Sequence, residues 1–245
     1  MLTHQGFRVV GPTKAAAQLE TSKSFAKKIM RENNIPTAHS ETFTDATLAK
    51  EYVNQLDSLV VIKADGLAAG KGVIICQTME DAKDALIKCF KDNSFGDAGS
   101  VVVIEEFLVG EEVSLFSLVD KNGFVLPLTT AQDHKKVYET ERGPNTGGMG
   151  AYSPAPIIDK ELENKIISRI VKPTLRALKD KKQFYRGFLY VGLMIKNNDP
   201  YLIEYNVRMG DPECQVILPR LKTDLLRIIN YSLKNNTKGT TAQLF

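Results

Sequence analysis

"VIKADGLAAGKGVIIC", residues 61–76, sets a glycine–lysine cluster between two runs of β-branched residues. A Walker A phosphate loop reads G-x-x-x-x-G-K-[ST] and leads from a strand into a helix. Here Gly66 and Gly70 are separated by three residues, Lys71 is followed by Gly72, and "VIIC" is a β run. The P-loop reading therefore fails on spacing, residue type and context. The pattern predicts a β-hairpin instead, with "LVVIKA" against "GVIIC" and a glycine-rich connection between them. Glycine lets backbone N–H groups approach an anion closely, and Lys63 and Lys71 add positive charge at one place. Taken alone, the segment reads equally as a surface hairpin with solvated lysines.

The 245 residues suffice for one large domain or two lobes with a sizeable core. Contents of 43% hydrophobic and 25% charged residues are those of an ordinary globular protein. A net charge of +3, with lysine pairs not interleaved with aromatics, argues against nucleic acid as a partner. No apolar run approaches the roughly 18 to 20 residues of a membrane span. "MLTHQGFRVV" lacks the basic and apolar regions of a signal peptide. Cys76, Cys89 and Cys214 are odd in number and form no CxxC pair, so a reducing cytoplasm is the expected setting. His4, His39 and His134 show no metal-ligand spacing.

Along the chain, "GFRVVG" reads as a short strand, and "KAAAQLETSKSFAKKIMRENN" has apolar residues at helical spacing. Thr21 and Ser22 mark a break and a second N-cap, which places Lys23 in a first turn. "IPTAHSETFTD" is an extended connector. The helix "ATLAKEYVNQL", the hairpin, the helix "TMEDAKDALIKCFKD" and the strand "GSVVVIEEFL" then make an α+β lobe with mostly antiparallel strands. A second lobe follows, with strands "EVSLFSLVD", "GFVLPLTTA", "GFLYVGLMIKN" and "PYLIEYNVRMG". "IIDKELENKIISRIVKPTLRALKDK" and "LPRLKTDLLRIINYSLKNN" are its helices. "ERGPNTGGMGAYSPAPI" is long and without regular pattern, which marks a functional loop.

Chemistry concentrates in "LIEYNVRMGDPE". Strand alternation puts Glu204, Asn206 and Arg208 on one side. Carboxylate and carboxamide oxygens are the hard ligands that Mg²⁺ requires, and an arginine one step on can reach phosphate. A polar sheet face with Glu204 neutralising Arg208 is the plainer alternative. In "IEEFLVGEEVS" a strand end can offer its backbone to an adenine edge, with Phe107 and Leu108 walling the ring and Glu112 accepting from ribose.

Taken in order, these parts resemble the ATP-grasp fold, and within it the glycinamide ribonucleotide synthetase (phosphoribosylamine–glycine ligase) family. The segments "GPTKAAAQLETSKSFAK", "VIKADGLAAGKGV", "FGDAG", "VIEEFLVGEE", "QDHKK", "GPNTGGMGAYSP", "GFLYVGLMI" and "EYNVRMGDPE" carry the resemblance over residues 11–214. It implies a two-lobed α+β fold of mostly antiparallel sheets with flanking helices. Residues 1–40 would be the end of an N-terminal domain plus a linker helix, 41–110 the small lobe and 111–245 the large lobe. It further implies that ATP, with Mg²⁺ or Mn²⁺, drives glycine onto phosphoribosylamine through glycyl phosphate, in purine biosynthesis. Such chemistry needs positioning and charge neutralisation more than an enzyme nucleophile.

Matched to the motifs, Lys23 and Lys63 would hold ATP phosphates, beside Gly70, Lys71 and Gly72 of the flap. Glu105, Phe107 and Leu108 would frame adenine, and Glu112 the ribose. Glu204 and Asn206 would bind the metal, with Arg208 on the phosphoryl group. Asp133 and His134 would act beside a substrate loop of Asn145, Thr146, Gly147 and Gly148, with Asp211 nearby. The strand "FLYVGLMIKN" lacks the second carboxylate ligand that many ATP-grasp enzymes place there, so Asp211 or Glu213 would assist or one carboxylate would suffice. The family's terminal domains have no counterpart in this chain, so ligation by the chain alone is expected to be weak. A nucleotide-binding module, or another carboxylate–amine ligase of the superfamily, are the competing assignments.

Overall fold

The computed structural model describes residues 2–56, 59–66, 72–92, 94–138, 142–234 and 242–244, with the side chains of residues 3, 4, 136 and 142–145 outside that description. The chain divides into two compact units, residues 18–109 and residues 1–17 with 110–245.

In the 18–109 unit, α1 (Gln18–Thr21) and α2 (Lys23–Glu32) are separated at Ser22, whose hydroxyl caps α2 by accepting from the Phe25 N–H. The connector that follows is not wholly irregular, since β1 (Ser40–Phe43) forms within it. Next come α3 (Ala46–Asn54), β2 (Val60–Ala64), β3 (Val73–Cys76), α4 (Met79–Phe90) and β4 (Val102–Glu106). The strands make an antiparallel sheet in the order β1-β4-β2-β3. The hairpin pairs as its sequence predicts, from Val60 opposite Cys76 to Lys63 opposite Val73. A capping box starts α4, with Thr78 and Asp81 each accepting from the other's backbone N–H. One sheet face carries Val60, Ile62, Ala64 and Ile104, which pack against Ala49, Val53, Ala82 and Leu86 of α3 and α4. Alternation sends Lys63 and Glu105 to the opposite face, where α2 lies against β4.

The second unit contains β5 (Glu111–Val119), β6 (Val125–Tyr138), β7 (Arg142–Tyr152), α5 (Lys160–Ile166), α6 (Lys172–Asp180), β8 (Gly187–Lys196), β9 (Asp199–Asn206), α7 (Glu213–Ile217) and α8 (Leu225–Leu233). Its sheet is antiparallel throughout, in the order β7-β6-β5-β8-β9. Phe116, Leu118, Leu126, Leu128 and Tyr190 pack with Ile217 of α7 and Ile228 of α8 on one face. On the other face Thr174 of α6 shares a 2.5 Å hydrogen bond with the buried Tyr205 hydroxyl of β9. Leu162, Ile166, Ile170 and Leu178 are fully buried there, each contributing about 1.5–3 kcal/mol. No helix among the described residues is long and apolar enough to cross a membrane.

Three sequence expectations change here. "GFRVVG" is not a strand, because no strand among the described residues pairs with it; Val10 instead packs on the second unit's core. "IIDKELENKIISRIVKPTLRALKDK" is not one regular helix, since a π-helical turn at Ile167–Val171 separates α5 from α6. Pro173, at the start of α6, has no N–H to continue the ladder. "LPRLKTDLLRIINYSLKNN" opens with a 3-10 turn at Leu218–Arg220 and becomes α-helical only from Leu225, where Asp224 caps the first turn.

Candidate functional site

A buried ionic cluster occupies the α2 face of the small sheet. Lys63 Nζ and Lys27 Nζ lie 3.0 Å and 3.2 Å from the same oxygen of Glu105, Oε2. Their side chains are 6%, 6% and 4% exposed, so all three are nearly dry. Lys23, in the first turn of α2, donates to the Ala64 and Gly66 carbonyls at 3.0 Å and 2.6 Å. Asp65 ties the same turn down, accepting from the Ser24 N–H at 3.1 Å and from the Ser22 and Ser24 hydroxyls. Gly66 has φ +132, and a Cβ there would meet the Ala98 Cβ at 2.8 Å, so only glycine fits this position. The root of the hairpin connection is thus fastened to a helix N-terminus, with two lysines beside it. Gly72 is buried and its carbonyl accepts from the Ala64 N–H; Gly70 and Lys71 lie outside the described residues. Phe107 and Leu108, half-buried, follow β4, and the Phe107 N–H donates to the Leu59 carbonyl.

The second cluster depends on a bulge. Leu193 faces Leu202, but Gly192 faces Glu204, so Ile203 is an extra residue in β9. An extra residue reverses the alternation. Glu204 and Asn206 therefore share the face of Gly192 and Tyr190, while Leu202 points the other way. Glu112 and Ser114 of β5 stand on that face, as do Asp133 and Lys135 of β6. Lys135 pairs with Glu112 and lies 3.8 Å from Asp133. Tyr190 accepts a 2.6 Å hydrogen bond from Ser114.

Electrostatics follow from this crowding. Burial acts to lower the Lys135 pKa, but Glu112, Tyr190, Asp133 and Glu204 outweigh it and hold the ammonium above the ordinary lysine range. Burial pushes the Asp133 carboxyl up, Glu112 and Glu204 add to it, and Lys135 opposes. Glu213 of α7 is also pushed up, chiefly by burial, with Asp133 adding. Four carboxylates thus share a region with one half-buried ammonium. Such an excess of negative charge favours a multivalent cation. Glu204 and Asn206 carry hard oxygen atoms on this face, although no group of three His, Cys, Asp or Glu suited to a metal occurs among the described residues. Arg208 lies beyond the end of β9, exposed, and reaches back to donate to Asn206 Oδ1 at 3.2 Å.

The glycine-rich segment is part strand and part excursion. Its outer residues pair with β6, but His134 faces Gly150 while Lys136 faces Asn145, so Thr146 to Met149 bow out of the ladder. Thr146 Oγ1 donates to the Lys135 carbonyl at 2.9 Å and accepts from the Gly148 N–H at 3.1 Å. Gly148 has φ +123, and a Cβ on it would overlap Pro212 Cδ. This close approach brings Gly148 beside Asp211, which accepts from Gln215 at 2.6 Å. Gly148→Ala is expected to cost about 1–3 kcal/mol through backbone strain and overpacking. A urea midpoint equal to that of the parent chain would show that the excursion is not seated on Pro212.

Residues 21–214 match the profile of the phosphoribosylglycinamide synthetase ATP-grasp (A) domain. The chain belongs to this family. A phosphoribosylamine–glycine ligase from Mesorhizobium japonicum is 50% identical over 240 residues, covering 98% of this chain and 56% of the relative. One from Vibrio parahaemolyticus is 51% identical, covering 90% and 52%. The chain spans about half the length of the curated relatives it matches. The crystal structure of the Thermotoga maritima phosphoribosylamine–glycine ligase superposes with a TM-score of 0.86 at 36% identity, over 93% of this chain and 57% of that one. A Campylobacter jejuni biotin carboxylase, solved as a β-γ-ATP complex, shares the fold with a TM-score of 0.76 at 17% identity, over 99% of this chain and 52% of that one.

Within this ATP-grasp domain the predicted residues fall into groups. Lys23, Lys63 and Glu105 come together in the 18–109 unit. Glu112, Asp133, Glu204, Asn206 and Arg208 come together in the other. Thr146, Gly147, Gly148 and Asp211 form a third group, while the Asn145 side chain lies outside the description. His134 does not join Asp133: adjacent strand residues face oppositely, and His134 is exposed with its ring 5.6 Å from that of Tyr152. Lys27 and Lys135 were not singled out from sequence. A signal existed for Lys135, two residues from Asp133 on a strand, and for Lys27, one helical turn after Lys23.

Proposed function

We propose that this ATP-grasp domain performs the ATP-dependent ligation of glycine to 5-phosphoribosylamine, giving glycinamide ribonucleotide, ADP and phosphate in purine biosynthesis. Glycine's carboxylate takes the γ-phosphoryl group of ATP, and the sugar amine then displaces phosphate from the acyl phosphate. The observation that carries this reading is the bulge at Ile203, which sets Glu204 and Asn206 on the same face as Asp133 and Lys135. That donor set suits Mg²⁺ or Mn²⁺, which when bound supplies charge neutralisation to the transferring phosphoryl group.

The chain's own residues take the remaining work. Lys23 and Lys63 hold phosphates at the hairpin root, and Glu105, Phe107 and Leu108 receive adenine there. Glu112 accepts from ribose, and its Lys135 partner fixes its orientation. Arg208, held by Asn206, meets the charge that develops on the phosphoryl group. Asp133 and the Thr146–Gly148 excursion, beside Asp211, take glycine and phosphoribosylamine. His134 stands across the strand from Asp133, so its share is limited to the exposed face that carries Tyr152. The free cysteines suit a cytoplasmic setting: burial pushes Cys76 and Cys89 up to about 11, which keeps them as inert thiols.

Titration calorimetry with a non-hydrolysable ATP analogue tests the reading. Binding is expected with Mg²⁺, and markedly weaker binding in EDTA. Absence of heat from a folded sample at high analogue concentration would overturn it.

A further inference from the structure

One carboxylate with two ammonium groups leaves the Lys27–Glu105–Lys63 cluster with a surplus positive charge in a nearly dry place. An anionic ligand is the natural complement of such a place. The two lysines are not equivalent. Lys27 Nζ donates to Thr37 Oγ1 at 2.8 Å and to the Ala38 carbonyl at 3.2 Å, besides its contact with Glu105 Oε2. An ammonium has three N–H donors, so Lys27 has none left for a phosphate. It is anchored to the chain that leads into β1. Glu105 Oε1 is buried without a hydrogen-bond partner among the described residues.

We propose that Lys27 is a positioning residue for nucleotide binding: by neutralising Glu105 it lets Lys63 exchange that carboxylate for the phosphates of a nucleoside di- or triphosphate. This rests on the reading of Lys63 as a phosphate ligand. With Lys27 present, a departing Lys63 leaves behind a paired carboxylate. Without it, the same departure strands a buried, unpaired charge, which is strongly unfavourable. Lys27 therefore acts on phosphate-bearing nucleotides while touching none of them.

The groups facing Lys27 are Glu105 and Lys63 from the sheet and Glu106 at the end of β4. Burial lowers Lys27 to about 8, Lys63 pushes the same way, and Glu105 and Glu106 pull upward. Binding of phosphates favours the charged form, so affinity for them falls as pH rises through that value.

The test compares dissociation constants for ATP and for adenosine, by calorimetry, in the parent chain and in Lys27→Met. The ratio of the two affinities cancels any general damage to the adenine pocket. Lys27→Met is expected to weaken ATP at least tenfold and adenosine less than twofold. In a Glu105→Gln background the same substitution should leave the ratio unchanged, because no carboxylate remains to hold Lys63. An unchanged ratio in Lys27→Met, or an equal loss for both ligands, overturns the proposal. Should that variant not fold, the parent chain decides: its ATP-to-adenosine ratio is expected to fall about tenfold between pH 7 and 9.5, and a flat ratio overturns the idea. A parent chain that binds ATP no better than adenosine at pH 7 refutes the phosphate role of Lys63 itself, and the proposal with it. A clear parent preference for ATP with no response to Lys27 refutes the positioning role alone.

Discussion

Glu204→Gln is expected to lower glycine-dependent ADP formation by at least about a thousandfold, or about 4 kcal/mol of transition-state stabilisation. The substitution keeps size and shape but removes the one formal charge among the two donors assigned to the metal. Asn206 alone, already accepting from Arg208, offers a single neutral oxygen. Stability should not suffer. Glu204 stands among like charges, and it is one of the groups that push the Asp133 carboxyl up. Removing it relieves repulsion from Asp133 and forfeits attraction to Lys135, so thermal unfolding is expected close to the parent temperature. Turnover within tenfold of the parent, at saturating Mg²⁺, would show that the metal is held elsewhere. A loss of activity accompanied by a lowered melting temperature would instead make Glu204 structural.

Lys63→Met should weaken ATP by roughly 10- to 150-fold, the value of a charge-assisted contact of about 1.5–3 kcal/mol. Read as a hairpin lysine, Lys63 promises no cost in stability on replacement. Its burial beside Glu105 changes that expectation. Breaking a buried pair costs about 3–5 kcal/mol when nothing else neutralises the survivor. Lys27 still neutralises Glu105 at 3.2 Å, so the loss should be smaller, about 1–3 kcal/mol. Denaturant unfolding and calorimetry on the same sample separate the two effects. A folded variant with parental ATP affinity would remove Lys63 from the phosphate site.

Local pattern determined much of this protein. The β-branched runs on either side of Gly66 specify a hairpin, since period-two alternation and a glycine turn are properties of adjacent residues. The N-cap at Ser22 and the resulting place of Lys23 in a first turn are equally local. The two-lobed α+β architecture and the family were legible too, because the motifs occur in order along the chain. Tertiary structure decided what depends on partners distant in sequence. Whether "GFRVVG" is a strand depends on a neighbour that it lacks among the described residues, and whether "GPNTGGMG" is a loop depends on β6 pairing with its ends. The common side of Glu204 and Asn206 follows from strand alternation, but its coincidence with the Asp133–Lys135 face follows from the bulge at Ile203, which only the register of β8 against β9 creates. The triad of Lys27, Lys63 and Glu105 joins a helix to two strands, and its burial makes each charge depend on the others. A sequence lists such charges one by one; only packing removes the water that would otherwise screen them from each other.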